Sequence, residues 1–261
     1  MRFVHKLRTN PAATRGMAAV VAFLVLWEMA GQVRLINPNF TSYPSRIARL
    51  AWDLSYSGKI YPHLAISLQE LFLGFVAAAA VGVMMGLATG RVRRLDYVTS
   101  PFVNTLYSTP RMVFLPLFII WLGIGLWSKV LLIFLGALFP ILINTYHGVK
   151  GTDPSLVEAA RSYGARERDV FFKVVLWAAM PFVVAGLRMG MGRALISVAI
   201  AELYAASAGM GFLVVTGGAS MNADLVFAAG SFFVIAGLLF NYGLRYGEKR
   251  IAPWLYERQA E

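Results

Sequence analysis

The chain has no cysteine, little charge and only three histidines, and each shortage closes off a class of function. Without cysteine there is no disulfide scaffold, no thiolate zinc site and no cysteine nucleophile. His5, His63 and His147 are too scattered to suggest a metal cluster. Charged residues fill 14% of the 261 positions and apolar ones 58%, where soluble domains are about 25% charged. These proportions exclude most soluble readings and point to a membrane. Enzyme motifs are missing too. No H-E-x-x-H, no G-x-S-x-G and no G-x-x-x-x-G-K-[ST] occurs, so the chain is read as a non-enzyme that does not hydrolyse ATP itself.

What charge there is divides the chain into apolar runs. Residues 71–90, 130–149 and 225–244 are free of charge over 20 positions each; at 1.5 Å per residue each run covers about 30 Å, the hydrocarbon thickness of a bilayer. Three further runs are interrupted: 16–33 by Glu28, 101–122 by Arg111, and 174–202 by Arg188 and Arg193. The expectation is an all-α polytopic bundle of six transmembrane helices in one domain over residues 1–261. No small-residue cleavage site follows the first run, so it reads as a retained helix.

Acidic residues are the scarcer sign, 13 against 24 Lys and Arg, for a net charge of +11. With the N-terminus placed in the cytoplasm, 16 basic residues fall inside, five outside and three within spans. That bias expects both termini in the cytoplasm. It also accounts for the basicity without nucleic acid, because the cations mark membrane edges and form no single patch. Buried carboxylates at helical spacing, expected of many ion-driven carriers, are not evident; Glu28 and Glu202 sit close to span ends.

In the outer loop at 34–64, Asn37–Pro38 and Tyr43–Pro44 are turn signals, and Ile47, Leu50, Ala51 and Leu54 share one helical face. That face suits a helix lying in the interface or one packed on the bundle. Small residues recur every four positions at Gly82/Gly86/Gly90, Gly186/Gly190 and Gly243/Gly247. Such spacing permits close helix packing, or a subunit contact or sliding surface.

The loop between the fourth and fifth spans is the informative segment. Asp153 is a good N-cap, Pro154 suits the first helical position, and Gly164 can take the left-handed conformation that ends a helix. The product is a helix of about ten residues, in which small Ala159 and Ala160 let a partner approach.

Glu158-Ala159-Ala160, then Gly164 after three intervening residues, and an apolar stretch ending in Pro181 resemble the EAA signature of permease subunits in binding-protein-dependent ABC importers. Ser108-Thr109-Pro110-Arg111, Leu115-Pro116-Leu117, Trp121-Leu122-Gly123-Ile124-Gly125, Ala185-Gly186-Leu187-Arg188 and Gly192-Arg193-Ala194 are similar to the nitrate/sulfonate/taurine branch. The resemblance covers about residues 60–245 and implies the type I importer permease fold in a bacterial inner membrane. Asp153, Glu158, Ala159, Ala160 and Gly164 would belong to a coupling helix seated in a separate ATPase. It implies as partners two ATPase subunits, which bind the ATP and Mg, an external solute-binding protein, a second permease chain, most simply an identical one, and membrane lipid. No cofactor is expected in this chain. The solute would be small and often anionic. The family usually has a Leu-Pro pair where Leu176-Trp177 stands, which puts the local geometry of the fifth span in doubt.

Candidate pathway or gate residues are Thr109, Arg111, Arg188, Arg193 and Glu202. Arg188 and Arg193, five apart, differ by about 140° around a helix and cannot both face one way squarely. Either can favour an anion in the pathway, or both can pin helix ends and carbonyls. Thr109–Pro110 breaks the helix locally, and the segment lines a gate or is a packed kink. The rival reading is a secondary carrier driven by an ion gradient, which calls for buried acidic residues and a repeat between halves.

Overall fold

A computed structural model describes residues 11–251 except positions 34, 36, 38, 39 and 206. Arg2, His5, Lys6, Arg8, Arg34, Pro38 and Arg258, which enter the expectations above, lie outside the described residues.

The described residues form helices joined by short turns. Five helices are long and apolar enough to cross a membrane, and a sixth span is a broken pair. In chain order they are α1 (Pro11–Gln32), α2 (Pro44–Tyr56), α3 (Ile60–Arg91), α4 (Arg93–Ser108), α5 (Leu115–Leu122) and α6 (Leu126–Lys150). There follow α7 (Pro154–Ser162), α8 (Glu167–Val170), α9 (Leu176–Ala205), α10 (Met210–Ala219) and α11 (Ala223–Ile251).

Close packing around α6 organises the bundle. Gly74, Gly82, Gly86 and Gly90 of α3 face Ile133, Ile141, Thr145 and Val149 of α6, a constant separation of 59 positions. The two helices therefore run parallel in register, in steps of four residues. On its other side α6 meets α9 antiparallel, with Gly148 against Phe182, Gly190 against Ile141 and Gly136 against Ser197. The small-residue pairs of α3 and α9 are thus packing seams within the chain, whereas Gly243 and Gly247 have nothing within 4 Å of where a Cβ would stand. Ala78, Ile133, Ala137, Ile141, Ala194 and Val198 fill the core between the three helices.

Several boundaries depart from the apolar runs. The second span begins at Ile60 and shortens the outer loop, because Glu70 continues the helix instead of ending it: its charge is paired inside the protein. The third span is broken between α4 and the 3-10 turn Arg111–Phe114, with a 90° bend. Pro110 lacks an N–H and drives Thr109 into extended backbone, at φ −82° and ψ 133°. The fifth span runs through Pro181 as one helix, and its irregularity lies upstream in a π turn, Phe171–Val175. The short apolar helix α10, between the fifth and sixth spans, has no counterpart among the six apolar runs.

The loop helix α2 packs on the bundle. Ile47, Leu50, Ala51 and Leu54 are half-buried, and Leu54 joins a cluster with Ile60, Met210 and Ala229. Arg46 pairs with Asp224 at the start of α11 at 2.5 Å. Glu28, the charge that interrupts the first run, accepts from the backbone N–H of Ser45 at 2.9 Å and from its hydroxyl at 2.7 Å. It satisfies a first-turn amide of α2.

The seam predicts a position-specific cost. At Gly86 a Cβ would stand 2.6 Å from Thr145 Cβ and 2.7 Å from the Leu142 carbonyl oxygen, a backbone atom that cannot swing aside. Gly86→Ala should destabilise the detergent-solubilised protein by about 1–3 kcal/mol, as overpacking does. Gly230→Ala, with nothing within 4 Å, should melt at or above the wild-type temperature in the same thermal scan.

Candidate functional site

At one end of the bundle α7 lies between the fourth and fifth spans. Asp153 Oδ1 accepts from the backbone N–H of Ser155 at 2.9 Å, and this bond holds the carboxyl below the usual carboxylate range. Pro154 occupies the first helical turn, as the sequence suggests. At the other end Gly164 takes φ +80°, its N–H donates to the Arg161 carbonyl at 2.9 Å, and the Ala165 N–H donates to Ala160 at 3.1 Å. This closes the helix with a left-handed glycine.

The helix is tied to the transmembrane bundle on one side only. Arg161 pairs with Glu167 of α8 at 2.9 Å, and α8 runs through the π turn into α9. The Arg91 guanidinium at the end of α3 sits 4.4 Å over the Phe171 ring of that turn. Between these contacts lies a cleft of about 340 Å³ lined by Arg91, Thr152, Glu158, Arg161 and Phe171. Glu158 and Ala159 are exposed and Ala160 is half-buried. Leu156 and Tyr163, 51% and 94% exposed, flank Ala159 at helical spacing. The helix is thus capped at both ends, braced from behind and bare in front.

The candidates deeper in the bundle fall into two groups. The break at Thr109–Pro110 turns Arg111 onto α6, where its Nη1 donates to the Gly136 carbonyl at 3.0 Å. The same guanidinium lies 5.8 Å from the ring centres of Tyr107 and Phe139. Arg193 of α9 also comes to Gly136, its carbonyl oxygen 3.5 Å from where a Gly136 Cβ would stand. Arg188 is half-buried and Arg193 is exposed, in keeping with their different faces. Thr109 donates its hydroxyl to the Thr105 carbonyl at 2.8 Å at the end of α4.

Glu202 is not with the arginines. It is 1% exposed and sealed inside the bundle at the end away from α7. There its Oε1 accepts from Ser67 Oγ at 2.5 Å and its Oε2 from the Gly211 N–H at 2.7 Å. The N–H of Met210 donates to Ser67 Oγ at 2.9 Å, and that of Gly209 to His63 Nδ1 at 3.1 Å. Three consecutive amides at the start of α10 are therefore capped by side chains of α3 and α9, and the carboxylate meets the positive end of the α10 dipole. Glu70 of α3, also 1% exposed, pairs with Lys129 of α6 and lies close to Glu202. Lys129 acts on both carboxylates. The sequence reading missed this cluster. Glu70, Lys129 and Glu202 are remote in the chain, and the one local hint was that three charges stood beside apolar runs.

Residues 78–253 match the family described as binding-protein-dependent transport system inner membrane component. The chain belongs to that family. It is 31% identical over 240 residues to the putative aliphatic sulfonates transport permease SsuC of Bacillus subtilis, covering 92% of this chain and 87% of the relative. Over 251 residues it is 31% identical to the taurine transport permease TauC of Escherichia coli, covering 94% and 91%. The fold matches a chain of the methionine ABC transporter MetNI in an inward-facing form, with a TM-score of 0.60 and 23% identity over 74% of this chain and 94% of that one. It also matches a chain of an amino acid ABC transporter, with a TM-score of 0.57 and 18% identity over 76% and 96%.

This permease is thus a multi-pass membrane subunit of an ABC transporter that works with ATPase and solute-binding partners. The ion-driven carrier reading falls with that membership. Glu70 and Glu202 correct the expectation that acidic residues are absent from the interior, and they serve as ion-pair and cap.

Removing the buried cation should be costly. Lys129→Met leaves two buried carboxylates without an ammonium and should lower stability by about 3–5 kcal/mol. Lys129→Met combined with Glu70→Met, which removes the whole pair, should recover most of the loss. The check is thermal unfolding of the three proteins in one detergent.

Proposed function

We propose that the chain, as one transmembrane domain over residues 1–261, is half of the translocation pathway of an ATP-driven importer. A second, identical chain completes it. Two separate ATPase subunits, which bind the ATP and Mg, engage the face of α7. An external binding protein delivers a small anionic solute of the sulfonate or taurine kind to the opposite end. Both termini then lie in the cytoplasm with α7, and the membrane is the bacterial inner membrane.

The observation that carries this reading is the construction of α7. A nine-residue helix capped by Asp153 and ended at Gly164, with Leu156 and Tyr163 uncovered, needs a partner to bury its front. Glu158, Ala159 and Ala160 lie along the same short helix, where small side chains admit a groove wall. The brace behind it supplies the mechanical connection, since Arg161–Glu167 and Arg91–Phe171 lead from α7 into α9 and α3. Relatives that carry sulfonate and taurine in their names support the solute class. Thr109, Arg111, Arg188 and Arg193 are the pathway candidates. Glu202 sets the position of α10 and reaches the pathway only through that helix.

The test is affinity purification from native membranes in mild detergent. An ATPase subunit should accompany the wild type and be lost from the double variant Glu158→Lys, Gly164→Pro, since proline cannot adopt the positive φ of residue 164. Leu156→Asp, which leaves both caps intact, should weaken the association in the same direction. An ATPase that stays with all three proteins, or accompanies none, contradicts the assignment.

A further inference from the structure

Two arginines approach one residue in the middle of the bundle. Arg193 lies on α9 with its side chain exposed, and Arg111 reaches α6 from the break in the third span. Both come to Gly136, the eleventh residue of the 25-residue helix α6: its carbonyl accepts from Arg111, and a Cβ there would stand 3.5 Å from the Arg193 carbonyl oxygen and collide with Ser197 Oγ, one turn beyond. Among the described residues, no carboxylate lies within ion-pair distance of either guanidinium.

A cation held at this depth cannot face lipid, so Arg193 faces water or a second chain. Two cations brought to one residue of α6 repel, and the protein supplies only partial compensation: one carbonyl and the faces of two rings for Arg111. A guanidinium has five N–H donors, and a single one of Arg111 is engaged by an acceptor among the described residues. Two planar forks with free donors and a shared double positive charge match an oxyanion, whose several oxygens on one centre can accept from both.

We infer that Arg111 and Arg193 form a binding station for a small oxyanion of the sulfonate class, with Tyr107 and Phe139 beside it. This inference rests on the permease reading and adds the place where the solute's charge is met. The partial compensation suits a transit point, since the carbonyl and ring contacts hold Arg111 when no anion is present and limit how tightly one is kept. Arg188 has no part in the station.

The experiment uses the chain purified with whatever subunits accompany it and placed in lipid nanodiscs. Saturation transfer from protein to the methyl protons of methanesulfonate is read by NMR, with neutral dimethyl sulfone as the reference of similar shape. Transfer to methanesulfonate and not to dimethyl sulfone is expected on the wild type. The apparent Kd should rise about tenfold or more in Arg111→Gln and in Arg193→Gln, the loss of one charge-assisted contact. Arg193→Lys should fall between them and the wild type. Equal transfer to both probes, no transfer to methanesulfonate, or unchanged binding in both glutamine variants overturns the inference. The comparison of the two probes on the wild type decides the matter even where a variant fails to assemble. The ATPase band in the same preparation is a separate readout: its presence with a silent methanesulfonate signal removes the station alone, and its absence counts against the permease reading.

Discussion

The close approach of α6 to α3 on one side and α9 on the other is the constraint from which the rest of the structure follows. Lipid supplies little hydrophobic drive between helices, so backbones must come near enough for dispersion and close-packed contact to hold them. Glycine at successive turns of α3, Gly82, Gly86 and Gly90, in register with Ile141, Thr145 and Val149, is how this chain achieves it. The trio spans the bundle from the braced end, where Arg91 meets Phe171, to the sealed end, where Glu70, Lys129 and Glu202 converge. Under the proposed coupling role, a displacement of α7 would enter this block through α8 and the π turn, and a block packed this tightly would move as a body.

Charge within the span is handled in three ways. At the sealed end Lys129 neutralises Glu70, and Glu202 is held by α10 amides and Ser67. At the outer helix α2, Glu28 serves as a cap instead of an isolated anion in lipid. In the middle Arg111 and Arg193 come to the same residue of α6, and among the described residues no carboxylate pairs with either. The distribution separates charges that hold the helices together from the two arginines of the proposed station.

Much of the architecture was legible because its causes are local. Charge-free runs of bilayer length mark the spans, Pro110 marks the break in the third, and Asp153, Pro154 and Gly164 bound α7. What escaped depended on partners distant in sequence. Glu70 looked like the end of an apolar run because Lys129, which lets it stay inside a helix, is 59 residues away. Glu202 was grouped with the arginines for its position near a span end, although the amides it caps belong to a ten-residue helix too short to register as a span. The π turn at Phe171–Val175 left no mark in the sequence, where the absent Leu-Pro pair put only the local geometry of the fifth span in doubt. The approach of Arg111 and Arg193 to one residue of α6 depends on the 90° turn as well as the rotation of α9, and the sequence showed only that Arg188 and Arg193 diverge.

The absence of native cysteine allows the central claim, that α7 carries force between an ATPase and the bundle, to be tested directly. A single cysteine placed at Tyr163, the most exposed position beside the EAA segment, can be cross-linked in native membranes with a short bifunctional thiol reagent and the adduct identified. The account predicts a cross-link to an ATPase subunit whose yield changes when ATP is bound, with none from a single cysteine at Trp52 on the opposite end. A Tyr163 cysteine that finds no ATPase while the protein remains in the membrane, or one whose cross-link is indifferent to nucleotide, would contradict it.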